Sequence, residues 1–207
     1  MKKKLPILIL ACFTVCFGSA QTISLTGYGG YTFQDRLNYG NAYGYLNESG
    51  HWGVSIEGIN GRGDGVELLY QQQLTHVPVY YLTLPNTQVN SGNDKTVISY
   101  LMLNAMHHFM MGPVEPYGGI GIGAGFINNK SYSNETRFAW DAKLGLNFKI
   151  SPVIGIKVQA QLFSIIQAAG GSFYVNQDGS VTSVTSYSSI YQFGFSGGLC
   201  FSFANAE

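Results

Sequence analysis

The stretch VEPYGGIGIGAGF at residues 114–126 decides the fold, together with FAWDAKLGLNF at 138–148 and VIGIKVQAQLF at 153–163. In each segment, apolar side chains alternate with polar residues or glycine. Successive side chains of a β-strand point to opposite faces, so each segment would form a strand with one apolar and one polar face. Each segment is about 11 residues long, which is the length that a tilted strand needs to cross a bilayer.

The charged residues of these segments indicate which face points into the barrel. Glu115, Asp141, Lys143 and Lys157 all fall on the polar faces, and the apolar faces carry no charge. A soluble barrel turns its apolar face inward. A membrane barrel turns it outward to lipid, where a charged side chain costs about 2–4 kcal/mol. The pattern therefore predicts a membrane barrel with a polar interior.

Five further segments alternate in the same way, with approximate bounds of 22–33, 51–60, a strand beginning near Val66, 95–110 and 190–203. The prediction is therefore an all-β fold, an eight-stranded antiparallel up-and-down transmembrane β-barrel. The connections alternate between long and short, as they do between the extracellular loops and periplasmic turns of outer-membrane barrels.

The long connections are rich in residues that favour loops. Residues 34–50 are rich in Asn, Gly and Tyr and are predicted to be a surface loop. Residues 165–188 are rich in Ser, Gly, Thr and Val and are predicted to be a second long loop. Residues 72–94 are predicted to extend the third and fourth strands beyond the membrane as a hairpin.

The first 20 residues are predicted to be a signal peptide, and residues 21–207 the outer-membrane barrel domain. Three lysines at 2–4 precede an apolar run at 5–17, which is too short to span a bilayer as a helix. Small residues at 18–20 suit cleavage. We expect signal-peptide-directed export to place the protein in the outer membrane of a Gram-negative bacterium.

Cysteine usage agrees with this interpretation. Cys12 and Cys16 lie in the predicted signal peptide, so Cys200 alone remains and no intramolecular disulfide can form. A lipoprotein signal is the weaker alternative, because the residues before the two early cysteines match that signal poorly.

Composition excludes a nucleic-acid-binding role on electrostatic grounds. The chain has 11 basic and 11 acidic residues, and loss of the three signal lysines leaves an acidic excess. Charged residues make up 11% of the chain, where about a quarter is typical of soluble domains. The 27 glycines, 14 tyrosines and 13 phenylalanines suit a tightly packed barrel with aromatic girdles.

The candidate lumen residues are the charged side chains of the inward faces. An eight-stranded barrel has an interior just wide enough for side chains to fill, so we predict a paired, hydrogen-bonded plug instead of an open pore. The set comprises Glu57, Glu67, Glu115, Asp141, Lys143 and Lys157.

The candidate surface contacts are three tyrosines of the first loop, Tyr39, Tyr43 and Tyr45. Exposed aromatic side chains suit contact with an extracellular protein or a glycan. Anchoring in lipid headgroups is the alternative role for the same residues.

Histidines are the residues that could suggest metal binding or catalysis. His107 and His108 are adjacent in a strand and point to opposite faces, so they cannot chelate one metal ion together. His51 and His76 are predicted near the outer rim, with Asp35 and Asp94 in neighbouring loops. No arrangement of paired carboxylates or of His and Ser at catalytic spacing accompanies them. We therefore assign no catalytic residue, no metal site and no cofactor.

Three segments carry a resemblance to a known family: PYGGIGIGAGF at 116–126, AWDAKLGLNFKISPVIGIKVQAQL at 139–162 and FGFSGGLCFSF at 193–203. The sequence resembles the small OmpA/OmpX-like outer-membrane barrels. The last segment resembles the C-terminal signal read by the barrel-insertion machinery, although four residues follow its terminal aromatic, Phe203. The resemblance implies roles in envelope integrity, adhesion or defence, and occasionally in solute passage.

Three functions follow from these patterns. The first is a non-enzymatic, monomeric outer-membrane barrel that contacts lipid, stabilises the envelope and presents surface loops. The second is a narrow channel for small or hydrophobic solutes. The third is a rim enzyme acting on lipid, which would use His51 or His76.

Overall fold

The computed structural model describes residues 21–39, 42–76, 79–81, 95–129, 135–166, 172–175, 181–184 and 189–204. Eight long strands of this part of the chain close into one barrel. They are β1 (Thr22–Thr32), β2 (Ser49–Ile59), β3 (Asp64–His76), β4 (Lys95–His108), β5 (Val114–Asn129), β6 (Glu135–Lys149), β7 (Ile154–Ile166) and β8 (Ser189–Ala204).

Each barrel strand pairs antiparallel with its neighbours in the chain, and the first strand pairs with the last. The β1–β8 pair runs from Thr22 opposite Ala204 to Thr32 opposite Gly194 and leaves no open sheet edge. The predicted eight-stranded up-and-down barrel is therefore confirmed. No α-helix of membrane-spanning length and apolarity occurs in the described ranges.

Side chains alternate between the two faces of the barrel wall as predicted. Leu144 and Ile120 are 71% and 69% exposed on the outside, whereas Lys157 and Asp141 are each 1% exposed on the inside. The apolar face therefore points away from the barrel axis, which is the orientation that lipid requires.

Three short connections lie at one end of the barrel, together with the start of β1 and the end of β8. We call this the turn end, and the opposite end the loop end. The turn between β2 and β3 has Gly63 at φ +89°, a conformation that favours glycine. The side chain of Asn60 accepts hydrogen bonds from the backbone N–H of Arg62 at 2.8 Å and of Asp64 at 3.0 Å, which fixes this turn.

The connections at the loop end contain strands that the sequence did not predict. Asp35–Tyr39 and Ala42–Leu46 form a hairpin inside the predicted loop 34–50. Val79–Tyr81 adds to this hairpin opposite residues 42–44. The prediction that residues 72–94 extend β3 and β4 as a hairpin is thus wrong for this strand, which pairs with the first loop.

A second hairpin lies inside the predicted loop 165–188. Ser172–Val175 pairs with Val181–Val184 as a separate two-stranded sheet. The alternation of apolar and polar residues is weak in such short segments, so the sequence pattern did not reveal them.

Candidate functional site

Lys157 lies at the centre of the first ion cluster inside the barrel. Its Nζ donates to Glu57 Oε2 at 2.7 Å, and His108 Nε2 lies 2.6 Å from Glu57 Oε1. All three side chains are almost fully buried. They come from β2, β4 and β7, so the cluster connects non-neighbouring strands across the lumen.

Lys143 lies at the centre of the second ion cluster. Its Nζ donates to Glu67 Oε2 at 2.6 Å and lies 3.6 Å from Asp141 Oδ2. Asn104 Nδ2 also donates to Glu67 Oε2, at 2.7 Å, and the hydroxyl of Tyr28 lies 3.4 Å from Glu67 Oε1. The structure thus brings five of the six sequence-predicted lumen residues together in two neighbouring clusters.

Glu115 lies apart from these two clusters, at the turn end of β5. Its carboxylate pairs with Lys149, which is half exposed, and accepts a hydrogen bond from Asn147 Nδ2 at 3.2 Å. Its position next to the half-exposed Lys149 makes it part of the turn-end rim of the lumen.

A belt of buried glutamines lies above the ion clusters, toward the loop end. Gln159 Nε2 donates to Gln161 Oε1 at 3.0 Å, and Gln161 Nε2 donates to Gln71 Oε1 at 3.0 Å. His51 joins this belt, since its Nε2 lies 2.8 Å from Ser196 Oγ and 3.2 Å from Gln161 Nε2. Gln159 and Gln161 share the polar face of the predicted strand 153–163 with Lys157, but the sequence pattern predicted no role for them.

Apolar side chains fill the interior beside and above this belt. Tyr100 stacks on Phe163 with ring centroids 4.5 Å apart, and Leu69, Met102 and Ile165 are fully buried around them. The predicted polar lumen is therefore polar toward the turn end and partly apolar toward the loop end. The sequence pattern did not predict that Leu69, Met102, Phe163 and Ile165 point inward.

His51 lies near the loop end of β2, but it does not face an open rim. Its ring is buried in the lumen, where Thr32 Oγ1 lies 2.9 Å from Nδ1. The carboxylate of Asp35 instead accepts a hydrogen bond from the backbone N–H of Tyr191 at 2.8 Å. His76 is the last residue of β3, at the loop end, and Asp94 lies outside the described residues.

The first-loop tyrosines lie on strands, although the structure describes only their backbone. Tyr39 is opposite Ala42 in the hairpin, Tyr43 is opposite Asn38 and Tyr45 is opposite Arg36. Among the described residues, no group of three or more His, Cys, Asp or Glu side chains is arranged to hold a metal ion.

Comparisons with known proteins agree with the fold. Neisserial surface protein A superposes with a TM-score of 0.58 at 10% identity, covering 89% of this chain and 98% of that chain. OprG from Pseudomonas aeruginosa superposes with a TM-score of 0.59 at 11% identity, covering 90% and 98%. The family model described as Surface antigen matches residues 13–203. No curated protein matches the chain.

Proposed function

This chain belongs to the surface antigen family, and from that premise we propose that it is a non-enzymatic barrel that stabilises the envelope and presents surface loops. It is an outer-membrane β-barrel of the small OmpA/OmpX-like type. Its proposed work has two parts. The barrel closes its own lumen, and its loop end carries the structures that contact the outside.

The observation that carries this proposal is the filling of the lumen. Two buried ion clusters span the turn-end half, and the stacked rings of Tyr100 and Phe163 occupy the loop-end half. An ion that passed through would have to displace Lys157 or Lys143 from a carboxylate at 2.7 or 2.6 Å. Breaking a buried ion pair by removing one partner costs about 3–5 kcal/mol, so a closed lumen is favoured.

The attachment of the loops supports the second part of the proposal. Leu46, at the end of the first-loop hairpin, is buried in the apolar cluster of the lumen. The hydroxyl of Thr75 donates to the carbonyl of Asn47 at 2.6 Å, and the backbone N–H of Asn47 donates to the carbonyl of His76 at 3.1 Å. These contacts join the hairpin to the barrel wall, so the barrel would present the hairpin in a defined position.

We assign the contact with an extracellular protein or glycan to this hairpin. It contains Tyr39, Tyr43 and Tyr45, and aromatic residues are enriched where proteins make specific contacts. Export through the signal peptide at 1–20 and recognition of the last strand, ending at Phe203, by the barrel-insertion machinery complete the proposal. The signal peptide lies outside the described residues.

Planar-bilayer recording tests the closed lumen. We expect the purified mature barrel to give no porin-like conductance steps, since side chains occupy the lumen along its length. Steady conductance or sugar-dependent vesicle swelling would overturn this part and support the narrow-channel alternative.

A hairpin replacement tests the surface role. Replacing residues 35–46 with an Asn-Gly turn should preserve heat-modifiable migration on gels, because the eight barrel strands remain. We expect the variant to lose binding to arrays of extracellular-matrix proteins and glycans that the wild-type barrel recognises. Equal binding by both proteins, or no binding by the wild type, would refute the assignment to this hairpin.

A further inference from the structure

The outside of the barrel carries a groove across β4, β5, β6 and β7. Its volume is about 710 Å³, and its lining is mostly apolar. Ile120 protrudes between Ala105 and Ala142 on the neighbouring strands, and Leu144 protrudes between Gly118 and Ala160. The two large side chains therefore border the groove, and the small residues beside them leave depressions in the surface.

The surroundings of this groove are hydrocarbon. Ile120 and Leu144 are among the most exposed side chains of the lipid-facing surface, and no charged side chain lies on the outward positions of β5 between Val114 and Phe126. Lipid acyl chains surround this surface in the membrane, so an acyl chain is the occupant that matches the apolar lining.

The groove ends at a polar group of residues at the turn end. His107 lines the groove and lies opposite Gly118 in the sheet. Its Nδ1 is 2.8 Å from Asp64 Oδ1, and the two side chains are 48% and 59% exposed. Arg62 lies exposed in the adjoining turn.

This polar group carries both signs of charge. The Asp64 side chain is more than half exposed, so its carboxyl group is ionised at neutral pH. Arg62 offers N–H donors that suit a phosphate, whereas Asp64 offers oxygens that suit an ammonium group. A headgroup with both a phosphate and a primary ammonium complements this arrangement.

We propose that the groove is a binding site for one phosphatidylethanolamine molecule of the leaflet at the turn end. One acyl chain occupies the depressions beside Ile120 and Leu144. The phosphate contacts Arg62, and the ammonium contacts Asp64, which His107 holds in place by a hydrogen bond. The proposal rests on the barrel being embedded in a membrane, but not on the lumen being closed or on the role of the loops.

Native mass spectrometry of the barrel released from vesicles into mild detergent tests this site. The vesicles contain equal amounts of phosphatidylethanolamine and phosphatidylglycerol. We expect one retained phospholipid per barrel, with phosphatidylethanolamine about tenfold enriched, as a 1.4 kcal/mol difference in binding would produce. Asp64→Asn should remove the enrichment, because it removes the charge that faces the ammonium.

Ala160→Phe fills the groove and should reduce lipid retention about tenfold, again about 1.4 kcal/mol. Ala124→Phe is the matched control. Ala124 lies on the same outer surface between Leu101 and Phe138 but does not line the groove. Heat-modifiable migration on gels checks that each variant folds.

Three results would overturn the proposal. The first is a wild-type barrel that retains no lipid or retains both phospholipids equally. The second is equal retention by the Ala160→Phe and Ala124→Phe variants. The third comes from chemical cross-linking. If the wild-type barrel forms a cross-linked dimer, and the Ala160→Phe variant loses this dimer but retains lipid, a second copy of the chain occupies the groove.

Discussion

Replacing Lys157 with Met tests whether the ion clusters hold the barrel together. The Nζ of Lys157 donates to Glu57 Oε2 at 2.7 Å, and both side chains are buried. Met conserves much of the side-chain volume but removes the charge. Glu57 then keeps His108 as its remaining described partner, at 2.6 Å.

The expected loss of stability follows from burial. Removing one partner of a buried ion pair costs about 3–5 kcal/mol, because the other charge stays uncompensated. With a urea m-value of about 2 kcal/mol/M, the unfolding midpoint should fall by about 2 M. The double variant Lys157→Met/Glu57→Gln should recover most of this loss, since it removes the unpaired charge together with its partner.

The assay is urea unfolding of the barrel in vesicles, monitored by the fluorescence of the two tryptophans. Arg137→Met is the control, because Arg137 Nη2 lies 2.9 Å from Glu135 Oε2 but this pair is only partly buried. An exposed pair contributes about 0–1 kcal/mol, so this variant should unfold close to the wild type. Equal midpoints for Lys157→Met and Arg137→Met, or no recovery in the double variant, would refute the reasoning.

Three further substitutions probe other parts of the wall and interior. Gly30→Ala should destabilise the barrel by about 1–3 kcal/mol, since a Cβ there would lie 2.2 Å from the carbonyl oxygen of Phe195. Gly29→Ala should not destabilise the barrel, because a Cβ at this position has no heavy atom within 4 Å. Equal effects of the two substitutions in urea unfolding would contradict this packing. Phe163→Ala should cost about 3–5 kcal/mol by the same assay, because its ring stacks in the lumen; a loss below about 1 kcal/mol would place the ring elsewhere. Val158→Arg, on the lipid face, should cost about 2–4 kcal/mol and lower the folded fraction on gels, whereas unchanged folding would mean that position 158 contacts water.

The barrel could be predicted from sequence because its decisive signal is local. Alternation needs only the chain itself, and β5, β6 and β7 each present uncharged apolar positions against polar ones. The charged lumen residues could be predicted for the same reason, since Asp141 and Lys143 are two positions apart and share a face.

The apolar part of the interior could not be predicted in this way. In β3, Leu68 and Leu69 are adjacent, and in β4 Leu101, Met102 and Leu103 are all apolar. Two-residue alternation does not distinguish a core side chain from a lipid-facing one where both faces are apolar.

The position of His51 depended on another strand. Gly30 lies opposite His51 in the sheet, and a Cβ at Gly30 would lie 2.5 Å from His51 Nε2. The space that admits the ring therefore exists because a glycine lies there. The register that brings the two residues together is a non-local property. The same limit applies to Val79–Tyr81, whose partner strand lies more than 30 residues earlier in the chain.

The fluorescence of the unmodified protein tests directly whether the apolar face of the barrel wall contacts lipid. Trp52 is half exposed on the outside, and Trp140 lies at an outward position of β6. We predict that tryptophan emission falls strongly when the barrel is folded into bilayers of phospholipids brominated along their acyl chains. Equal emission in brominated and unbrominated bilayers would contradict the outward orientation of the apolar face.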